Sequence, residues 1–264
     1  MKALHIIKIG GKVIDSDTDL KRFLGQLASL SSPFILIHGG GQMATRLAEQ
    51  MGIPQQLVEG RRITDESTLK VATMVYAGLI NKQLVASLQA QGVDAIGLSG
   101  ADMNCVSATL RQKGGIDYGF AGDLNPGSVN GQKFQALLEQ GFIPVVCAIT
   151  HDGKGQLLNT NADTLASSIA SAMSPYYSVQ LNYFFEKQGV LRDAGDERSI
   201  IPVLGKEEYL HLKNTGSIHS GMIPKLDNAF RAMQDGVSRV IIADAQALPH
   251  IIQNTTHHGT ELSC

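Results

Sequence analysis

The sequence predicts an α/β protein with a mainly parallel central sheet. Short apolar runs rich in β-branched residues recur along its 264 residues, and segments with helical spacing separate them. Strands that alternate with helices form βαβ units, and helices cover both faces of such a parallel sheet. The predicted strands are Ile6–Ile9, Phe34–Ile37, Ala95–Leu98, Ile143–Ile149, Val179–Phe185 and Val240–Ala243.

The helices are predicted from apolar residues that recur every three or four positions, as on one buried helix face. They fall in Met43–Met51, in two segments within Leu69–Leu88, in one at Leu137–Leu138 and in Leu165–Met173. The stretch Gly114–Gly131 is instead rich in Gly, Asn and Asp, which predicts turns or a hairpin.

Composition and charge argue against several classes of protein. Hydrophobic residues make up 43% of the chain, the net charge is −2 and no basic block occurs, so neither a nucleic-acid surface nor a membrane surface is predicted. No apolar run approaches the roughly 18 residues of a membrane span. Cys105, Cys147 and Cys264 are scattered without paired or metal-binding spacing, which favours the reducing cytoplasm.

Two glycine clusters directly follow predicted strands: Gly10–Gly11 follow HIIKI, and Gly39–Gly41 follow FILI. Ligands of parallel α/β sheets bind beyond the carboxyl ends of the strands, and glycine lets another molecule approach the backbone closely. The N–H groups of Gly39–Gly41 could therefore bind an anion, with a purely structural turn as the alternative. HGGG also occurs in esterases, but their G-x-S-x-G motif is absent, and so is the Walker motif of P-loop enzymes.

Charged and amide side chains near the strand ends are candidates for the chemistry. Lys8 interrupts the apolar run HIIKIGG, so it is either an ammonium beside an anion site or an edge lysine that reaches solvent. Lys225 opens a helix, where a cation is unfavourable unless an anion is present; a surface lysine is the alternative. In LNTNAD, Asn159, Asn161 and Asp163 could bind a polar substrate and orient cations, and at least one is expected to be a helix N-cap.

Arg61 and Arg62 in EGRRIT form a candidate clamp for a substrate carboxylate, since a guanidinium can bind a carboxylate through two parallel hydrogen bonds. A solvated arginine pair is the alternative. His257 and His258 lack carboxylate or cysteine partners at ligand spacing, so no metal site is predicted.

A series of short motifs spans the chain from Ile6 to Leu262: IIKIGGK, VIDS, ILIHGGGQ, GRRIT, INKQL, IGLSGAD, DYGFAGDL, GFIPVV, LNTNAD, GVL, GMIPKL and GTEL. The series resembles the amino acid kinase family and, within it, the acetylglutamate kinases of arginine biosynthesis. The resemblance implies a three-layer α/β/α sandwich with an N-terminal acyl-amino-acid-binding half, 1–174, and a C-terminal nucleotide-binding half, 175–264. It also implies that ATP, with Mg²⁺, phosphorylates the γ-carboxylate of an N-acylglutamate to an acyl phosphate.

The resemblance further implies roles for individual residues. Lys8 and Lys225 match the two family lysines around the transferred phosphoryl group, and Asp163 matches the aspartate that organises them. Substrate binding is implied for Gly40, Gly41, Arg62, Asn159 and Asn161. Nucleotide binding is implied for Gly11, Gly189, Val190, Leu191, Ser217, Ile218 and His219.

Two segments depart from the family pattern: YFFEKQGVL and, to a lesser degree, GADMN after Ser99. YFFEKQGVL has Phe185–Glu186 where Ser/Thr-Asp is usual, although Glu186 keeps the charge. Some relatives use N-succinylglutamate in place of N-acetylglutamate, and the motifs do not distinguish the two. The second carboxylate of a succinyl group would need a cation, for which Arg61, Arg111 and Lys113 are candidates.

Two alternatives to this function are another amino acid kinase and a non-catalytic small-molecule sensor with the same fold. Retention of Lys8, Asp163 and Lys225 together argues against a sensor. Family members regulated by arginine carry an N-terminal helix that links dimers into a hexameric ring. Because HIIKIGG begins at residue 5, we expect a homodimer.

Overall fold

The computed structural model describes residues 1–58, 60–193, 195–218, 221–253, 255–256 and 258–263. Its strands are β1 (Ala3–Ile9), β2 (Phe34–His38), β3 (Leu57–Val58), β4 (Arg61–Arg62), β5 (Ala95–Leu98), β6 (Thr109–Lys113), β7 (Ile116–Asp123), β8 (Ile143–Cys147), β9 (Ile149–His151), β10 (Leu157–Thr160), β11 (Ser178–Phe185), β12 (Val203–Gly205), β13 (Arg239–Asp244) and β14 (Thr260–Ser263). Its helices are α1 (Gly11–Asp15), α2 (Asp17–Ala28), α3 (Gly41–Gln50), α4 (Glu66–Thr73), α5 (Asn81–Gln89), α6 (Gly131–Glu139), α7 (Ala162–Met173), α8 (Lys206–Asn214), α9 (Ile223–Gln234) and α10 (Leu248–Ile252). A π-helical segment, Met74–Ile80, joins α4 to α5.

The main sheet has the strand order β12-β14-β13-β11-β1-β2-β8-β5. Neighbouring strands are parallel except β13 and β14, which are antiparallel. All six predicted apolar runs lie in adjacent strands of this sheet, which confirms the mainly parallel architecture. The predicted run Ile143–Ile149 is wrong in extent, because β8 ends at Cys147 and Ile149 begins β9 of a second sheet.

Helices cover both faces of the main sheet. α7 packs against α6 and α9 on one face, while α2, α5 and α10 lie on the other. Phe23 of α2 meets Phe184 of β11 edge to face, with ring centroids 5.1 Å apart. The result is the three-layer α/β/α sandwich that the resemblance implies.

The two predicted halves share this one sheet. β1, β2, β5 and β8 come from residues 1–174, and β11 to β14 come from residues 175–264. β1 and β11 lie side by side at the junction, with Lys8 opposite Tyr183. Because the strands are parallel, the carboxyl ends of β1, β2 and β11 meet at one edge of the sheet.

A smaller sheet has the order β6-β7-β10-β9 and lies beyond this edge. β6 and β7 form an antiparallel hairpin whose turn contains Gly114 and Gly115 at φ of 64° and 70°. Glycine tolerates such positive φ angles without steric cost. The predicted hairpin is therefore confirmed for the first part of Gly114–Gly131.

The continuous helical stretch Glu66–Gln89 is long and apolar enough, by length and composition alone, to cross a membrane. We expected no apolar run as long as a membrane span. That expectation missed this helical stretch, because polar residues interrupt its apolar residues. Within its most apolar window, 44% is buried inside the fold. Val71, Val75, Leu84 and Leu88 are buried in the core, as in a core helix.

Candidate active site

Three charged side chains meet at the carboxyl edge of the main sheet. Nζ of Lys8, at the end of β1, lies 2.6 Å from Oδ1 of Asp163, in the first turn of α7. Lys225, in the first turn of α9, forms an ion pair with the other carboxylate oxygen of Asp163. Lys8 and Asp163 are buried, with side chains 11% and 10% exposed. The edge-lysine alternative for Lys8 is excluded because β1 lies between β11 and β2.

The charges in this cluster leave a net positive site. Burial raises the pKa of the Asp163 carboxyl, but the ammonium groups of Lys8 and Lys225 outweigh it and hold that pKa well below its usual range. Burial lowers the pKa of Lys8, and the charge of Asp163 opposes that shift. With Lys8 protonated, two ammonium groups share one carboxylate. One positive charge therefore remains for an anion.

Asn161, not Asp163, caps the N-terminus of α7. Its Oδ1 accepts a hydrogen bond from the backbone N–H of Thr164 at 2.9 Å. The expectation of an N-cap in LNTNAD is thus confirmed for Asn161. Asp163 is free of that task, and its carboxylate points at the two lysines.

A cavity of about 220 Å³, which we name the glycine-loop cavity, opens beside Lys8. Several predicted site residues line it together: Lys8, Gly11, Gly40, Gly41, Arg62, Asn159 and Asn161. Sequence reasoning missed Tyr76, which also lines it and gives no local signal in the sequence. Gly11, predicted to bind nucleotide, lies in this cavity.

Gly40 can only be glycine. Its φ is 152°, and an added Cβ would lie 2.3 Å from Cδ1 of Ile80 and 2.9 Å from Cδ1 of Tyr76. The next carbonyl, that of Gly41, accepts a hydrogen bond from Nη2 of Arg62 at 2.9 Å. The backbone of the glycine loop, Gly39–Gly41, is therefore held by the packing of Ile80 and Tyr76 and by the hydrogen bond from Arg62.

The two arginines of EGRRIT have different surroundings. Arg62 also donates to Oγ1 of Thr45 at 2.8 Å and to the side chain of Gln55. Arg61 lines the cavity and donates to Oγ1 of Thr164 at 3.2 Å. Burial lowers the pKa of Arg61, and no carboxylate among the described residues forms an ion pair with it. A negatively charged group of a ligand in the cavity could therefore form an ion pair with Arg61.

A second cavity, of about 290 Å³, lies on the other side of the charged cluster and includes Lys225. We name it the Gly189 cavity. Four residues for which the resemblance implies nucleotide binding line it: Gly189, Val190, Leu191 and Ile218. Ser217 does not line it; its Oγ lies 3.0 Å from Oγ1 of Thr215. His219 lies outside the described residues.

The atypical segment Phe185–Glu186 also lines the Gly189 cavity. Oε2 of Glu186 lies 2.5 Å from Nζ of Lys12, which follows the first glycine cluster. Lys12 therefore neutralises a carboxylate that would otherwise repel an anion in this cavity.

A larger cavity of about 620 Å³ lies between α7, α9 and the segment 124–131. None of Lys8, Asp163 and Lys225 lines it. Lys8 lines the glycine-loop cavity, Lys225 lines the Gly189 cavity, and Asp163 forms an ion pair with each lysine. Among the described residues, no group of three or more His, Cys, Asp or Glu side chains is arranged to hold a metal.

A family model matches residues 3–244, and its description is the amino acid kinase family. The chain belongs to the amino acid kinase family. Proteins named acetylglutamate kinase are similar to this amino acid kinase along most of their length. The protein from Phocaeicola vulgatus is 51% identical over 93% of this chain and 95% of its own. The one from Cytophaga hutchinsonii is 51% identical over 99% of both chains.

Solved structures agree on the fold of this amino acid kinase. An N-acetylglutamate synthase from Neisseria gonorrhoeae, complexed with coenzyme A and N-acetyl-glutamate, superposes with a TM-score of 0.84 at 23% identity. The match covers all of this chain but 59% of the synthase chain. Carbamate kinase from Giardia lamblia bound to AMP-PNP gives a TM-score of 0.70 at 12% identity, over 99% of this chain and 98% of its own.

Proposed function

We propose that this chain is an acetylglutamate kinase, which transfers the γ-phosphoryl group of ATP to the γ-carboxylate of N-acetyl-L-glutamate in arginine biosynthesis. The observation that carries the proposal is the bridge from Lys8 through Asp163 to Lys225, which joins the two cavities. The name shared by relatives 51% identical supports the substrate.

In this proposal the glycine-loop cavity binds the N-acylglutamate and the Gly189 cavity binds ATP. Arg62, Asn159 and Asn161 offer donors for the polar groups of the acceptor, and the glycine loop offers backbone N–H groups. Val190, Leu191 and Ile218 give the other cavity apolar walls suited to a base. The β- and γ-phosphates would then lie between the two lysines.

The reaction needs no nucleophile from the protein. A γ-carboxylate oxygen of the acceptor bonds to the γ-phosphorus, the bond from that phosphorus to the β-γ bridging oxygen breaks, and ADP leaves with the electron pair. Lys8 and Lys225 neutralise charge on the transferred group and on the leaving oxygen. Asp163, kept ionised by the two lysines, holds both ammonium groups in place.

We propose that Mg²⁺ enters as part of the MgATP substrate. The described residues offer no dedicated metal cage, and Mg²⁺ commonly binds substrate phosphates and waters with one or two carboxylates. Glu186 supplies a carboxylate on the wall of the Gly189 cavity. Bound Mg²⁺ would neutralise phosphate charge during the transfer.

N-succinylglutamate is a second candidate acceptor, and Arg61 favours it. A half-buried guanidinium that forms no ion pair with a carboxylate among the described residues suits the second carboxylate of a succinyl group. Arg111 does not fill this need, because both oxygens of Asp123 accept from its Nη1 at 2.7 and 2.8 Å. The acetyl group has no second carboxylate and needs no such cation.

We further propose a homodimer in the cytoplasm. Met74 and Leu79, in the π-helical segment, are 51% and 48% exposed, which is unusual for large apolar side chains on a core helix. A second copy of the chain would cover them. Cys105 and Cys147 are free thiols in the structure, in keeping with a reducing compartment.

The function is tested by incubating the protein with MgATP, hydroxylamine and an acceptor. Hydroxylamine traps an acyl phosphate as a hydroxamate, and ADP is measured in parallel. We expect equal amounts of hydroxamate and ADP with N-acylglutamates, and neither with glutamate or carbamate. ATP binding without acceptor-dependent ADP would instead support the non-catalytic sensor.

A further inference from the structure

His38 ends β2 directly before the glycine loop and is fully buried. It lines neither cavity. Its Nδ1 lies 2.9 Å from the carbonyl oxygen of Gly39, and its Nε2 lies 3.1 Å from Nδ2 of Asn81. The proposed transfer uses neither of these side chains.

The hydrogen positions in this network follow from one backbone carbonyl. Nδ2 of Asn81 lies 2.9 Å from the carbonyl oxygen of Val145 on β8, which can only accept. The second hydrogen of the same amide group is then available to Nε2 of His38, which must accept and therefore carries no proton. In a neutral imidazole the hydrogen is then on Nδ1, where it donates to Gly39.

Two further observations agree with this assignment. Nζ of Lys82 lies 3.2 Å from Oδ1 of Asn81, so a donor faces the amide oxygen. Burial lowers the pKa of His38 to about 4, which keeps its ring neutral near pH 7.

We propose that His38 is a positioning residue for the glycine loop, and that Asn81 acts through it by fixing its tautomer. In a peptide unit the C=O and the N–H point in opposite directions. With the Gly39 carbonyl held by His38, the N–H of Gly40 points away from the ring and faces the glycine-loop cavity. It is then a preorganised donor to an oxygen of the acceptor or of the transferred phosphoryl group.

Packing around the loop supports this role. Ile80 and Tyr76 fill the space where Gly40 would carry a Cβ, and Ile80 is the last residue of the π-helical segment, directly before Asn81. π-helical turns are frequent at functional sites. The same helix therefore holds the loop by packing and sets the histidine tautomer by a hydrogen bond.

The test compares two substitutions that each remove one buried hydrogen bond. The amide of Asn overlaps Nδ1 of histidine, so His38→Asn keeps a donor to Gly39 and loses the acceptor for Asn81. The amide of Gln overlaps Nε2, so His38→Gln keeps the contact with Asn81 and releases Gly39. Their stabilities are expected to be similar, while their effects on catalysis are expected to differ.

The role of His38 rests on the proposed function, so enzyme kinetics and the tautomer of His38 are measured in separate experiments. In the hydroxamate assay, kcat of His38→Gln is expected to fall at least about tenfold below that of His38→Asn, with KM for ATP within about twofold of wild type. Asn81→Ala is expected to behave like His38→Gln. His5 is also buried and lies toward the start of β1, away from the strand end that carries Lys8. His5→Gln is therefore the matched control and should keep wild-type kcat.

The tautomer is read by ¹⁵N NMR of the histidine rings, with the His38 signals identified by their loss in His38→Asn. We expect a hydrogen on Nδ1 in wild type and a smaller share of that tautomer in Asn81→Ala. A hydrogen on Nε2 in wild type, or equal kcat for the two His38 variants, would overturn the proposal. A wild-type protein without kinase activity would overturn the proposed function, and the NMR result would still decide the tautomer.

Discussion

Nζ of Lys8 lies 2.6 Å from Oδ1 of Asp163, although one residue ends a central strand and the other begins a helix. The same carboxylate pairs with Lys225 from a third element. A single buried anion thus holds one cation at the wall of each cavity. This arrangement fixes both ammonium groups before substrates bind, which is how preorganised charges lower a barrier.

Lys8→Ala is expected to lower kcat by roughly 10²–10³, the loss seen when one preorganised donor is removed. KM for ATP should change much less, because the interaction strengthens mainly in the transition state. Steady-state hydroxamate assays measure both. Lys70→Ala, which removes an exposed lysine paired with Glu66, is the control. A Lys8→Ala enzyme with half the wild-type kcat would exclude Lys8 from the mechanism.

Asp163→Asn is expected to lower kcat by at least about 10², because an amide cannot hold two ammonium groups by charge. Asp65→Asn makes the same change at the N-cap of α4, where Asn caps as well as Asp. It should keep both activity and stability. Equal activity of the two variants would contradict the role of Asp163.

Arg61→Ala is expected to change the choice of acyl group. If N-succinylglutamate is a substrate, its kcat/KM should fall at least about tenfold, because its second carboxylate would lose its partner. The value for N-acetylglutamate should change less than about threefold. Arg46→Ala, at an exposed arginine paired with Asp15, is the control. A preference for N-acetylglutamate that Arg61→Ala leaves unchanged would exclude the succinyl hypothesis.

A homodimer is expected by light scattering, with Leu79→Lys shifting the mass toward the monomer because it places a charge in the proposed contact. Leu210→Lys changes an equally exposed leucine, 44% against 48%, on α8 and should leave the dimer intact. A hexamer in solution would contradict the prediction.

His38 is expected to make stability depend on pH. Its pKa is lowered from 6.5 to about 4 in the fold, so the unfolded chain binds the proton more readily between these values. Stability from this group is complete above pH 6.5 and falls as the pH drops toward 4. One pH unit corresponds to about 1.4 kcal/mol, so about 2 kcal/mol is lost between pH 7 and pH 5.

Urea unfolding at pH 7 and pH 5 measures this loss, with His38→Asn as the reference because it lacks the titrating ring. The difference between the two pH values should be about 2 kcal/mol smaller in the variant. Identical pH dependence in both proteins would show that the histidine does not titrate as the fold requires.

The strands were predictable because a parallel sheet covered on both faces needs continuous apolar runs, such as Val179–Phe185. β12 and β14 were not predicted, because they are short strands toward one edge of the sheet and their apolar signal is weak. The end of β8 was misjudged because Ile149 continues the apolar pattern while its backbone pairs with β10 instead.

The sequence by itself determined the alternation of strands and helices, the glycine clusters at strand ends, and the residue types of the charged cluster. Local patterns carry this information, since the hydrophobicity and the backbone freedom of each residue follow from its type. Only the tertiary structure decided that Asp163 pairs with both lysines while Asn161 caps α7, and that Asn81 meets His38. The ion pairs of Asp163 and the contact of Asn81 with His38 join residues far apart in the chain, and their distances depend on how the layers pack, which no local pattern encodes.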